Sequence, residues 1–447
     1  MREIKVGKGL NLPISGQPRQ EIEASREVQH VAIIGDDFPM LKPKMLVKEG
    51  DQVKQGQAVI SDKTYPDIVF AAPAAGKVVA INRGAKRHFL SLVIAVSGEE
   101  HETFKKFSAN DLSRISSEEV KQNLLQSGAW TMLRSRPGGR LADPQTEPAA
   151  LFINAMDTNP LAADMGVVLA EKKEQLRTGI QVLAQLTNGP VYFCQAPGPA
   201  LTDAQVDNLE IVAFRGPHPA GLTGTHIHFL APASRQRLLW HIDAQDVAAI
   251  GELFLNGFMP MSKVIALAGP GVKKPRLLQT RQGACLSELL ADELNSGDQR
   301  VISGSVYAGK QAADALDYLG RYDQQVVVLA EGRQRKLLGW ALPPLKTFSV
   351  KNLAPIRFGG DYEFNTDTNG GERPIVPVGS YEEVMPLDII PTYLLRAIAV
   401  DDVEEAEALG CLELIEEDLG LCAYVCPSKI DHAANLRRTL TLIEKEG

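Results

Sequence analysis

Cys411-Leu412-Glu413-Leu414-Ile415-Glu416-Glu417-Asp418-Leu419-Gly420-Leu421-Cys422-Ala423-Tyr424-Val425-Cys426-Pro427, near the C-terminal end, ends with the spacing of an iron–sulfur run, Cys-x₂-Cys-x₂-Cys-x₃-Cys-Pro. Its last two ligand positions are Cys422 and Cys426, and its first two hold Glu416 and Leu419. A cubane cluster takes a thiolate on each of its four irons, and Leu419 has no donor atom. Cys411 adds one sulfur upstream and leaves the set short. Cys411, Cys422 and Cys426 therefore read as a degenerate cluster motif in which no metal is expected, the mark of an electron-transfer lineage that has lost its cofactor. The competing reading makes them ordinary buried thiols, among the most buried of side chains.

The 447 residues allow about three domains. With 44% hydrophobic and 23% charged residues the composition is that of a globular protein. A net charge of −8 gives no general basic field, so nucleic acid is not an expected partner. The acidic excess gathers between Asp401 and Asp418, a stretch without Lys or Arg. It reads as a solvated helical face, with docking to a basic partner as the alternative. Five cysteines, odd in number and unevenly spread, argue against a disulfide framework and for a reducing compartment. No window approaches the ~18 apolar residues of a membrane helix. Met1 to Gly7 has no apolar core of a secretory signal. A soluble intracellular chain is expected, reaching membranes only through partners.

Outward from the tail, the chain divides into textures. His30–Gly35, Ala58–Ser61, Ile68–Ala71 and Lys77–Ile81 are short β-branched runs closed by turn residues. Lys48-Glu49-Gly50-Asp51-Gln52-Val53 and Ala72-Pro73-Ala74-Ala75-Gly76-Lys77-Val78 resemble the two halves of a lipoyl-like barrel-sandwich. Asp62-Lys63 has the composition of an acylated hairpin, but the spacing is short and Tyr65-Pro66 alters the turn. Ser116-Ser117-Glu118-Glu119 is a capping box. From about 149 to 260, strand runs at Ala149–Met156 and Pro190–Cys194 alternate with helical patterns at Glu171–Leu186 and Asp246–Leu255. Lys263–Gly269, Lys274–Leu278 and Cys285–Leu290 give the β–β–α order of a β-grasp module. Phe358–Gly379 reads as loop, and a helix is expected from Ser428 to about Lys445. The expected fold is thus α/β and α+β in several domains. A barrel-sandwich spans 1–102, an α/β domain 103–260, a β-grasp module 261–330, and a linker with a helical C-terminal domain 331–447.

Lys8-Gly9-Leu10-Asn11-Leu12-Pro13-Ile14, Asn154 to Asp164, Gly216-Pro217-His218-Pro219-Ala220-Gly221, Arg300 to Ser305, Asp317 to Tyr322 and the tail together resemble the A-subunit family of bacterial sodium-translocating NADH:quinone oxidoreductases. The resemblance implies a six-subunit inner-membrane complex that oxidises NADH, reduces ubiquinone and exports sodium. This chain would be its peripheral subunit on the cytoplasmic side, with flavins and clusters carried by partner subunits. The domain order also looks like the flavin subunit of respiratory complex I and the C subunit of Rnf complexes, which implies a Rossmann-like α/β domain and an SLBB-type β-grasp. Those relatives cradle a flavin phosphate in a Gly-rich loop. The corresponding stretch here is Leu133-Arg134-Ser135-Arg136-Pro137-Gly138-Gly139, with two glycines left and a donor removed at Pro137. The acidic segment that follows in the relatives is here Asp157-Thr158-Asn159-Pro160. Loop, segment and cluster are degraded together, so the expectation is a scaffold with no redox cofactor of its own and no catalytic residue.

Trp130, Arg134, Arg136 and His218 are the residue types to line an emptied pocket that accepts a quinone head, which needs an apolar cleft with a few donors. The alternative makes the two arginines surface salt-bridge partners. His226 and His228, two apart in Thr225-His226-Ile227-His228-Phe229, would share one face of a strand. With His218 they could hold a metal, but no acidic or Cys ligand lies nearby in sequence, so structural histidines are the favoured reading. Two rivals to the scaffold remain: a flavin- or cluster-bearing subunit of an Rnf-like complex, and an acyl carrier modified at Lys63.

Overall fold

Strand Ala150–Ala155 is the middle of the main sheet, and its alternation shows why. Ala150 and Phe152 join one apolar cluster with Val212, Phe214 and Ile227. Leu151, Ile153 and Ala155 join another with Leu176, Ile180, Val247 and Phe254. A strand buried on both faces is a continuous apolar run, as parallel sheets require. The structure is a computed structural model and describes residues 1–112, 114–333, 348–350 and 360–446.

The sheet order is Arg2–Lys5, Leu209–Arg215, Val191–Gln195, Ala150–Ala155, Leu239–Asp243 and Arg134–Arg136, parallel throughout except for the last. From Ala150–Ala155 the chain steps to one side for two strands. It then returns to the other side for Leu239–Asp243. That reversal makes a topological switch point, where doubly wound folds open a crevice beyond the strand C-termini. Helices Lys173–Leu183 and Ala244–Asn256 pack against each other over one face. They approach so closely that a Cβ on Gly179 or Gly251 would overlap the carbonyl oxygen of Val247 or Gln175. Upstream, Ser116 caps helix Ser117–Gln126 in the expected reciprocal bond with Glu119.

The second sheet runs Lys310–Gln311, Gln299–Ser303, Gln325–Ala330, Ser262–Ala268, Arg276–Arg281 and Arg19–Ala24. Its hairpin and short helix Leu286–Leu289 form the β-grasp module. The barrel-sandwich pairs a sheet of His30–Ile34, Phe89–Val96, Gly76–Arg83 and Gln52–Val53 with one of Pro43–Met45, Ala58–Asp62 and Val69–Ala71. Asp62-Lys63 stands at the turn after Ala58–Asp62, with Lys63 exposed. The first residues of the chain do something the sequence did not announce. Arg2–Lys5 lengthens the α/β sheet and Arg19–Ala24 lengthens the β-grasp sheet, so one short segment ties the two together.

The C-terminal part is helical: Ser380–Val384, Pro391–Ala399, Val403–Ala408, Glu416–Val425 and His432–Glu446. The last begins four residues after the expected start. Leu394, Leu395, Ile398, Leu419, Leu436 and Leu440 make its core, together with Cys411, Cys422 and Cys426. Residues 360–379 carry no helix or strand, as expected, while Phe358 and Gly359 fall outside the described residues.

Candidate functional site

The switch-point crevice is bordered by the segment that corresponds to a flavin-phosphate loop. Arg134–Arg136 pairs antiparallel with Leu239–His241, which points the turn Pro137-Gly138-Gly139 away from the sheet. Inside the turn, Gly139 N–H donates to Ser135 O at 2.9 Å and Ser135 N–H to Arg140 O at 2.7 Å. Gly138 and Gly139 have φ of 92° and 68°, which suits residues without a Cβ. A phosphate cradle needs its backbone N–H groups free and convergent. Here two are consumed by the turn and Pro137 has none.

The arginines of this loop are also spoken for. The first turn of helix Glu416–Val425 is set directly against them. Arg136 Nη1 donates to Asp418 Oδ2 at 2.9 Å and to the carbonyl of Glu413 at 2.6 Å. Both side chains are sealed, with 1% and 4% exposure. Arg134 Nη1 donates to Glu417 Oε1 at 2.9 Å, and its guanidinium lies 4.4 Å from the centroid of the Tyr322 ring. Gly224 has to be glycine, because a Cβ would overlap the Asp418 carboxylate. The chain's own carboxylates thus stand directly in front of this loop. Burial pushes Asp418 up, against the charge of Arg136. Burial also pushes Glu417 up, but Arg134 outweighs it and holds the group below the usual range. The two arginines are ion-pair partners, as one reading expected: Arg136 and Asp418 are buried, Arg134 and Glu417 partly open.

The acidic stretch divides: Asp401, Asp402, Glu404 and Glu405 form the expected solvated helical face, while the acids from Glu407 onward turn inward to cations. Glu407 pairs with Arg235, Glu413 Oε2 with His228 Nδ1 at 2.8 Å, Glu416 with Arg437 at 2.5 Å, and Asp401 with Arg438 at 2.6 Å. The basic partner is this chain itself: Arg134, Arg136, His228 and Arg235 all belong to the α/β domain.

Beyond the strand ends a cavity of about 110 Å³ remains, lined by Arg134, Asn154, Asp157, Asp243, Tyr322 and Asp323 among others. Small-molecule sites usually run to ~300–1,000 Å³ and are mostly apolar. Burial pushes Asp157 up to about 6, opposed by hydrogen bonds from Asn159, and pushes Asp243 up to about 6, opposed by Arg134. Burial and Asp37 push Asp323 up as well. A small, acid-lined cavity does not fit a flavin. Tyr322, Asp243 and Asp323 were missed in the sequence; Tyr322 stood in a quoted segment, but only the sheet order brings it to Arg134.

The cluster motif is equally unfit for its group. Leu419 is a core residue with 0% exposure, and Glu416 is held by Arg437. Burial pushes the Cys411 and Cys422 thiols up to about 12, and ligation needs thiolates. Cys426 Sγ lies 3.0 Å from the Tyr381 hydroxyl. Among the described residues no group of three or more His, Cys, Asp or Glu is arranged to hold a metal ion.

The histidines lie on a helix, Thr223–Leu230, and not on a strand. Two residues apart on a helix point to different sides. His226 donates from Nε2 to Ala220 O at 3.0 Å and stacks on Phe214, and burial lowers it to about 3. His228 Nε2 accepts from Asp388 N–H at 2.9 Å, so Nδ1 carries the proton given to Glu413. His218 is buried against Tyr307, ring centroids 4.8 Å apart, and burial lowers it to about 3. Of the four expected pocket residues, only Arg134 lines the cavity. Trp130 is buried edge-on to Trp240 with its indole N–H given to Ala142 O at 2.8 Å, and Arg136 is sealed.

A barrel-sandwich, a doubly wound α/β domain and a β-grasp module in one chain define the class: a multi-domain α/β and α+β protein. Three family models match in that order: "NqrA N-terminal barrel-sandwich hybrid domain" over residues 4–97, "NqrA second alpha/beta domain" over 115–259 and "NQRA C-terminal domain" over 264–314. The A subunit of the Na(+)-translocating NADH-quinone reductase of Pasteurella multocida is 49% identical over 99% of this chain and 100% of its own length. Those of Haemophilus influenzae and Yersinia pestis are 50% and 49% identical with the same coverage. The chain belongs to the family of A subunits of Na(+)-translocating NADH-quinone reductases. Solved NAD+-reducing [NiFe]-hydrogenase chains match at 16% identity over 53% of this chain and 52% of theirs, with a TM-score of 0.36, too slight a likeness to argue from.

Two outcomes follow from the ion pairs and the cavity. Asp418→Ala leaves Arg136 charged and unpaired in the interior, a change that costs about 3–5 kcal/mol. The Arg136→Met, Asp418→Leu double substitution recovers most of that loss, read from urea unfolding midpoints. Asp157 binds protons more tightly folded (pKa about 6) than unfolded (about 4). Its contribution to stability therefore falls as pH rises from about 4 to about 6, and is flat above. Asp157→Asn removes that slope: the variant melts above the parent at pH ~7 and level with it near pH ~4 by differential scanning calorimetry.

Proposed function

We propose that this chain is a peripheral scaffold subunit of the sodium-translocating NADH:quinone reductase, with no redox cofactor of its own. In that complex NADH is oxidised, ubiquinone is reduced to ubiquinol and Na⁺ is exported. Flavins and clusters belong to the other five subunits of a six-subunit assembly. The chain sits on the cytoplasmic face of the inner membrane and is held there by the membrane subunits. Its own part is to position them; none of its residues acts as a catalyst. Among the described residues no helix is long and apolar enough to cross a membrane, so a transmembrane sodium path along a helix needs the partners. The domain limits 1–102, 103–260, 261–330 and 331–447 are proposed as units of this scaffold.

One observation carries the reading: Asp418 and Glu417 hold the arginines of the phosphate loop from within the chain. No observation favours the Rnf-like alternative. The purified full-length chain is therefore expected to be colourless, with no flavin released by acid and no iron. A yellow or brown preparation with stoichiometric flavin or iron would overturn the proposal.

Quinone contact is a second part of the reading, and Arg134 carries it. Among Trp130, Arg134, Arg136 and His218 it alone faces a cavity, beside the Tyr322 ring. A photoreactive quinone analogue added to the intact complex is expected to label residues 130–137 or 216–228 of this chain. Labelling confined to other segments would remove the quinone from this chain's role.

A further inference from the structure

A cleft of about 850 Å³ lies away from the switch point, between the barrel-sandwich and the last helix. Lys42, Lys63, Arg83, Arg87, Lys310 and Lys445 stand on its lining, contributed by five separate stretches of chain. Its carboxylates are Asp36 and Glu416, and both are engaged. Asp36 lies 2.6 Å from His88 Nε2, and Glu416 is gripped by two nitrogens of Arg437 at 2.5 and 2.6 Å. Lys310 reaches Asp36 O at 2.8 Å and Asp37 Oδ1 at 3.3 Å. Among the described residues, Lys42, Lys63, Arg87 and Lys445 have no ion-pair partner for their side chains. A protein of net charge −8 thus concentrates unpaired cations in one concavity. Like charges crowded in a cleft with low-dielectric walls focus a positive field that only an anion relieves.

The cleft is not polar throughout. Phe38, Pro39, Met40, Leu41, Pro43 and Phe89 line it beneath the cations. Phe38 and Phe89 are 4% exposed, packed into the barrel-sandwich core, while Pro39, Met40 and Leu41 stay partly open. An acidic peptide would match the cations and leave this floor unused. An amphiphile whose phosphate meets the cations and whose apolar stem lies on the floor matches both.

We propose that this cleft binds the anionic headgroup of a membrane phospholipid, its phosphate between Arg87, Lys63 and Lys42 and its glycerol-ester stem on Met40 and Leu41. The inference goes beyond the scaffold reading and stands without it, since a chain that carried flavin would keep the same cleft. Vesicle flotation of the full-length chain tests it. Binding is expected to equal mixtures of phosphatidylcholine and phosphatidylglycerol, with none to phosphatidylcholine alone, and it weakens as salt rises. Lys63→Glu with Arg87→Glu, both exposed turn residues, is expected to reduce binding at least about tenfold with an unchanged melting curve. If that variant misfolds, Lys42→Gln with Arg87→Gln serves, with a smaller loss. Lys274→Glu, on the β-grasp module, keeps parental binding. Three results would overturn the proposal: equal flotation with both vesicle types, equal flotation of parent and cleft variants, or no flotation at all. Calorimetric binding of inorganic phosphate that also abolishes flotation would assign the cleft to a soluble phosphate and remove the lipid. Flotation that survives millimolar inorganic phosphate supports the headgroup.

Discussion

Arg136 and Asp418 are 282 positions apart and meet in the interior with almost no exposure. Moving two charges out of water costs several kcal/mol per ion, and their attraction offsets this only with good geometry and further hydrogen bonds. Those are present: Asp418 also accepts the Ile415 N–H at 2.9 Å, and Arg136 also donates to the Glu413 carbonyl. The carboxylates sit at the first turn of a helix, where the positive end of the peptide dipoles favours negative charge. A phosphate would use the same physics from the opposite side, as an anion brought to the loop. Here the anion is part of the chain, and it fastens the helical C-terminal part to the α/β domain.

One helix governs two features that look unrelated in the sequence. The first turn of Glu416–Val425 supplies the carboxylates that close the phosphate loop. The body of the same helix places Leu419 and Cys422 in the apolar core, where a cluster would need four thiolates converging on metal. Glu416, at the first ligand position, turns outward to Arg437. The degraded loop and the degraded cluster run are therefore not independent. A residue that restored a cluster ligand at 416 or 419 would also disturb the docking that neutralises Arg134 and Arg136.

What could be read beforehand follows the range of the interactions involved. Alternation and turn residues are local, so the barrel-sandwich runs, the Ser116 cap, the strands at Ala150 and Val191 and the β-grasp hairpin were legible. The segment Thr225–Phe229 misled because Thr, Ile and Phe favour strands by propensity, while Ile227 points into the sheet core from a helix and Gly224 closes on Asp418. Strand donation by Arg2–Lys5 and Arg19–Ala24 was illegible, since both are mostly exposed edge strands without alternation. The site was half visible. Arg134 and Arg136 were marked by the shape of their loop, yet their partners were not, because a run of acids without Lys or Arg carries no address. Only the packing of the C-terminal helices supplies one.

The same sorting explains how an acidic chain comes to present a basic cleft. Asp401, Glu407, Glu413, Glu417 and Asp418 are each committed to a cation of this chain, from the sealed Asp418–Arg136 pair to the exposed Asp401–Arg438 pair. Among the described residues, the side chains of the turn at Arg83–His88 and the loop at Pro39–Pro43 receive no carboxylate partner beyond the bond from His88 to Asp36. Net charge counts both sets equally, but only the second set is felt by a molecule outside. A potential confined to one concavity, with apolar walls behind it, acts over roughly a Debye length, about 8 Å at physiological salt. An anion must therefore come to the cleft itself to gain from it.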